Sequence, residues 1–274
     1  MHRRLAELDR LDRRYGLGTM PAAAPPRRTR AGHGAFWPSL LVTIVVLVAV
    51  LALTPGVSGV RLRSLVGLGD HRLHHTVSTP PGRGGFRFVR NQPGSTEPVS
   101  YNPCRPIHYV VNPSGAPDDY LELVQQAVGE VARATGFEFE YDGTTDDRDF
   151  GHRGGGSRTS TPVLVGWATP QEVPRLAGDV AGLGGSVAVE RTPDHLTYVT
   201  GMVALDRDVF AQLDPKPQGF EHLRAIVMHE LGHVVGLAHV DDPTQLMYGD
   251  NIGRTSFGPG DLRGLARLGA VDCL

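Results

Sequence analysis

Apolar residues recur every three to four positions from Asp118 to Ala134, where Leu121, Val124, Val128 and Val131 form one stripe. They do so again from Phe220 to Val235, through Leu223, Ile226, Val227, Leu231, Val234 and Val235. This spacing predicts two amphipathic helices, and Asp118 and Asp119 suit the positive N-terminal end of the first. Shorter apolar runs bounded by Pro or Gly predict strands at Pro106–Asn112, Phe137–Tyr141, Thr161–Trp167, Ser186–Val189 and Tyr198–Leu205. Between the second and third of these, Asp142 to Ser160 is rich in Gly, Asp and Ser and predicts a long surface loop. Leu262–Leu268, following Pro259-Gly260, predicts a final helix. Residues 85–274 are enough for one sizeable core.

One apolar run has no polar face. Phe36 to Leu53 carries no charge and has about the minimum length for a membrane-spanning helix. The 34 residues before Ala35 hold eight Arg against Glu7, Asp9 and Asp12, whereas Arg61, Arg63, Asp70 and Arg72 are the charges just beyond the run. This asymmetry predicts a cytoplasmic N-terminus and an extracytoplasmic remainder in the cell membrane. The expected plan is a basic, mostly disordered tail at 1–34, a transmembrane helix at 35–54, a flexible extracytoplasmic linker at 55–84 and a folded domain at 85–274. The competing reading is a secretory signal peptide cleaved near Ala52, which gives a secreted protein. The Arg-rich tail has the charge to meet anionic lipid. It lacks the interleaved aromatics of a nucleic-acid platform, so no nucleic acid is expected as a partner. Within the linker His71, His74 and His75 stand among Gly and Pro, which favours a solvated chain over a metal site. The two cysteines, Cys104 and Cys273, enclose nearly the whole domain, and a disulfide between them fits an oxidising compartment. The alternative is a thiolate switch at Cys104, which would leave Cys273 unpaired.

Candidate chemistry concentrates in residues 229–239, His-Glu-Leu-Gly-His-Val-Val-Gly-Leu-Ala-His. On a helix, His229 and His233 project from one face, one turn apart. Gly236 can take the left-handed conformation that ends a helix, which lets the chain return with His239. Three imidazoles leave the fourth position of a tetrahedral zinc ion open, as a catalytic site requires. Glu230 is placed to act as general base on water at that position.

Met247 follows inside Pro243-Thr-Gln-Leu-Met-Tyr248. With His239, Pro243 and Leu246-Met247-Tyr248 in this register, the chain resembles the metzincin zinc endopeptidases, and more closely their matrixin branch. The resemblance implies an α+β zincin domain: a twisted five-stranded mixed sheet, an active-site helix and a C-terminal helix. It implies one catalytic Zn2+ on His229, His233 and His239, Glu230 as base, Met247 as the floor of the site, and a protein or peptide substrate. In that family substrate extends along an edge strand, which here would fall on Gly185, Ser186, Val187 and Ala188. An ordinary hairpin edge is the equal alternative there. Tyr248 either lines the pocket, assists at the oxyanion or packs in the turn. Ca2+ or a second zinc is conceivable at Asp146, Asp147, Asp149 and His152, or at Asp206 and Asp208, although solvated turn carboxylates fit those segments better. Val240 and Gly249 depart from the Ser and Pro usual in matrixins, so substrate preference does not carry over.

The expected function is therefore a membrane-anchored extracytoplasmic zinc endopeptidase. A non-catalytic surface binding module, or a zinc hydrolase of a non-protein amide such as a cell-wall peptide, are the alternatives.

Overall fold

The computed structural model describes residues 42–46, 49, 71–79, 81–154, 161–250 and 253–273. The chain divides into two units, Met1–Val48 and Ala49–Leu274. In the first, residues 42–46 are helical and exposed. The rest of that unit, including most of the expected membrane helix, and residues 50–70 lie outside the described residues. Among the described residues no helix is long and apolar enough to cross a membrane.

The second unit is an α+β domain. Its elements are β1 (Arg87–Phe88), β2 (Ile107–Asn112), α1 (Tyr120–Thr135), β3 (Phe139–Thr144), β4 (Val163–Ala168), β5 (Gly182–Thr192), β6 (His195–Asp206), α2 (Arg207–Leu213), α3 (Gly219–Val235), β7 (Leu237–Ala238) and α4 (Pro259–Gly269). Five strands form one mixed sheet in the order β3-β2-β4-β6-β5. The β3-β2-β4-β6 neighbours run parallel, and β5 turns back antiparallel along β6 as the edge.

Strand alternation sorts the side chains into two cores. Ile107, Tyr109, Val111, Val163, Val165, Trp167, Val203 and Leu205 join the apolar stripes of α1 and α3 in the larger one. Leu164, Ala168 and Ala204 point the other way and pack with Phe150 and Leu176. Central β4 is buried along its whole length, so it reads as a continuous apolar run rather than an alternating one.

Three of the differences from the expected elements have a clear physical cause. β3 begins at Phe139 rather than Phe137, because Gly136 ends α1 in the left-handed region (φ 76°) and Phe137 drops into the core before pairing starts at Ile107–Phe139. α2 has no counterpart in the periodicity reading; it is short, and Asp206 starts it by accepting hydrogen bonds from the Asp208 and Val209 N–H groups at 2.9 Å. β5 begins at Gly182, four residues before the strand expected at Ser186–Val189. Its glycines mark close backbone approach instead of a turn. A Cβ on Gly184 would lie 2.1 Å from the carbonyl oxygen of Glu230, and one on Gly182 would lie 2.8 Å from Glu230 Cγ. The edge strand thus rests directly on α3.

Residues ahead of β1 also lie against this domain. The Arg72 guanidinium donates to the carbonyls of Gly269 and Val271, and Arg263 of α4 donates to those of Gly82 and Gly84. β1 then pairs antiparallel with β7. A disulfide joins Cys104, just before β2, to Cys273 after α4, with a Cα–Cα distance of 5.6 Å.

Gly184→Ala should cost about 3 kcal/mol, since neither the helix backbone nor the strand can give way. Gly185→Ala, where an added Cβ meets nothing within 4 Å, should stay within about 0.5 kcal/mol of the parent. Denaturant unfolding of the two variants checks the difference; equal stabilities would mean that β5 does not lie on α3. In the same assay, replacing Cys104 and Cys273 together by Ser should remove about 2–5 kcal/mol, because the bridge closes a loop with a sequence separation of 169 residues.

Candidate metal centre

The site is built on the last two turns of α3 and the chain that follows. Leu223, Ile226, Val227, Leu231, Val234 and Val235 bury one side of this helix, which leaves His229 and His233 together on its accessible side, ring centroids 4.9 Å apart. Gly236 ends the helix at φ 123°, with its N–H shared between the carbonyls of Gly232 and His233. That conformation strains any residue with a Cβ, and here a Cβ would also press on Leu268 and on the Val99 carbonyl. The chain reverses through β7 and brings His239 back, so that its Nε2 lies 2.9 Å from Nε2 of His229 and 3.0 Å from Nε2 of His233.

Tautomers decide what this arrangement can hold. Nδ1 of His229 sits 2.8 Å from the Leu246 carbonyl and Nδ1 of His233 sits 2.7 Å from the Leu237 carbonyl. A carbonyl oxygen only accepts, so each Nδ1 carries the hydrogen and each Nε2 keeps its lone pair. Both lone pairs face Nε2 of His239, which has a single N–H at most and cannot satisfy both. A cation shared by all three nitrogens removes the conflict. Nitrogen atoms bound to a tetrahedral zinc at about 2.0–2.1 Å are separated by roughly 3.4 Å, close to the spacing here. Burial reinforces the neutral state: it pushes His229 down to about 3 and His233 down to about 4, and also lowers His239 against the pull of Asp250. Neutral imidazoles are what a metal requires.

Glu230 lines the same cleft as the three histidines and is buried under β5. Burial pushes its carboxyl up to about 8, while the Gly184 N–H pulls it down. The carboxyl group faces a cleft of about 470 Å³ that includes His229, Glu230, His233 and His239 in its lining. Charge at this site therefore depends on what binds. A cation on the imidazoles draws the carboxyl back toward its ordinary range.

Met247 is 1% exposed and packs beneath α3, where a Cβ on Gly232 would come within 2.7 Å of its sulfur. Gly232 therefore lets the turn approach the helix, a role that helical spacing alone did not reveal. The turn is anchored from below by Asp261 of α4. Its carboxylate accepts from the N–H groups of Leu246 (2.6 Å) and Gly258 (2.9 Å). Asp261 and fully buried Gln245, which accepts from the Gly260 and Asp261 N–H groups, were missed at the sequence level. Their signal was only an Asp near a helix start and a Gln inside the turn.

The cleft wall on β5 is formed by Gly182, Leu183 and Gly184. Gly185, Ser186, Val187 and Ala188 lie further along that strand. Ser186 turns inward, donating to the Val234 carbonyl at 2.8 Å and meeting the Tyr101 hydroxyl at 2.8 Å. Tyr248 lines the cleft, and its hydroxyl pairs with Asp250. Three of the carboxylates considered for calcium have other partners: Asp147 binds Arg153 at 2.5 Å, Asp149 caps the N–H groups of Gly151 and His152, and Asp206 caps α2. Among the described residues, His108, Glu140 and Asp142 form a second group with metal-ligand spacing. It is more exposed than the first, and a hydrogen bond to Asp142 holds the His108 imidazole above its ordinary range.

No curated protein sequence matches the chain. Among solved structures, archaemetzincin from Methanopyrus kandleri aligns with a TM-score of 0.39 and 17% identity, over 59% of this chain and 93% of that one. A family model does match, over residues 163–257, from the start of β4 through the three histidines to a point just before α4. That family is the matrixin family, which the motif residues also resemble, and this segment of the chain is similar to it.

Proposed function

We propose that this chain is a membrane-anchored, extracytoplasmic zinc endopeptidase. His229, His233 and His239 are the ligands, Glu230 is the general base, and the cleft between β5 and the Met247 turn receives an extended peptide. One observation carries the reading: three imidazole Nε2 atoms converge in an open cleft that a buried carboxyl group also lines. A purely structural metal site has no use for that carboxyl group. The matrixin match supports a peptide substrate.

Zinc bound there would supply Lewis acidity toward water and toward the scissile carbonyl. Glu230 then takes the proton from the attacking water oxygen and delivers it to the leaving amine nitrogen as the C–N bond breaks. The Leu246 and Leu237 carbonyls hold the imidazoles in the required tautomer through both steps. Placement outside the cytoplasm rests on the uncharged run at 36–53, its basic N-terminal flank and the Cys104–Cys273 disulfide.

The purified chain should carry one tightly held zinc by elemental analysis, and His239→Ala should weaken zinc binding by more than about 100-fold. A chain that binds no zinc in competition with a chromogenic chelator would remove the basis of this reading. Glu230→Gln should keep the metal and lose about 10²–10⁴ in kcat on a quenched fluorescent peptide library. Parental turnover by that variant would show that another group acts as the base.

A further inference from the structure

The segment from Gly82 to Val89 packs against the two stretches of chain that supply the backbone carbonyls orienting the helix histidines. In antiparallel pairing, alternate residues turn their N–H and C=O groups toward and away from the partner strand. The Val89 N–H bonds the Gly236 carbonyl at 2.9 Å, and Arg87 stands opposite Ala238. Leu237 lies between these two positions, so its own carbonyl faces away from β1, toward Nδ1 of His233. His239 follows Ala238 directly. β1 thus fixes the short strand that supplies one orienting carbonyl and then the third imidazole.

A second route starts at Gly84, whose backbone lies so close to Gln245 that a Cβ would fall 2.3 Å from Nε2. Gln245 holds the N–H groups of Gly260 and Asp261, and Asp261 holds the N–H of Leu246. The Leu246 carbonyl accepts from His229. Arg263 clamps the same segment through the Gly82 and Gly84 carbonyls.

We propose that Gly82–Val89 is a positioning strap for the metal centre, so that docking of the strap and retention of the cation share one coupling free energy. Metal-ligand orientation through outer hydrogen bonds is worth about 10–100-fold in affinity in general, and such coupling is reciprocal. The strap strengthens metal binding, and bound metal tightens the strap. Because residues 71–81 lead into it, a cut or displacement there would loosen the site without touching a ligand. This inference rests on the proposed zinc site and not on peptidase activity.

The test uses the purified full chain with zinc alone as probe. Arg263→Ala removes the clamp; Val89→Pro removes the N–H donor at a residue that is 56% exposed. Each should raise the zinc Kd at least about tenfold, and Arg263→Lys should recover part of the loss. Removing zinc from the parent should speed hydrogen–deuterium exchange at the Val89 amide more than at the Val165 amide in central β4. The proposal is overturned if both variants bind zinc within twofold of the parent, or if Val89 exchange ignores the metal. It is also overturned if the metal-free variants melt far below metal-free parent, because the weaker binding then reflects general unfolding. Strap-insensitive zinc binding sinks this inference alone, whereas a parent that binds no zinc sinks the proposed function with it.

Discussion

The imidazole tautomers govern the rest of this site. Two backbone carbonyls, Leu246 and Leu237, each accept from an Nδ1–H and so force the lone pairs of His229 and His233 toward His239. Neither carbonyl belongs to α3. One comes from the turn eleven residues after the helix and the other from the reversal just after it. The helix supplies the spacing of two rings; the chain beyond it decides where their nitrogens aim. Burial then holds those rings neutral.

The same constraint explains the glycines. Gly232 admits the Met247 sulfur against the helix, Gly236 permits the reversal, and Gly182 and Gly184 bring the edge strand down onto Glu230. In each case a methyl group would collide with backbone or with a packed side chain, so the site is assembled by close approach rather than by additional contacts. Glu230 is thereby shielded enough for its carboxyl to rise well above the ordinary carboxylate range. A group so placed responds strongly to the charge that arrives beside it.

Below the three imidazoles, polar anchoring adds to the apolar packing of Met247. Asp261 and Gln245 bind backbone N–H groups of the turn and of the first turn of α4, and Arg263 extends the network to the strap. The disulfide ties the residues beyond α4 to the entrance of β2. The C-terminal helix is thus fixed from several sides, and through the turn so is His229.

Much of this was legible in the sequence, for identifiable reasons. Periods of 3.6 and 2 placed α1, α3, β2, β4 and β6, because each buries one clear face or a continuous apolar run. The histidine spacing named the three imidazoles, because i and i+4 positions on a helix are neighbours wherever that helix sits. Other features depended on distant parts of the chain. Helical spacing could not show that Gly182–Gly184 belongs to a strand, since glycine there answers to the Glu230 backbone, some 46 residues later in the sequence. Nor could it show that Ser186 turns inward, that Asp261 holds the turn, or that Phe88 stands opposite Leu237. Sequence alone determined which side chains make up the candidate site, because local geometry sets their spacing. Tertiary structure alone decided how those side chains point and what shields them, because orientation comes from backbone groups that only folding brings near.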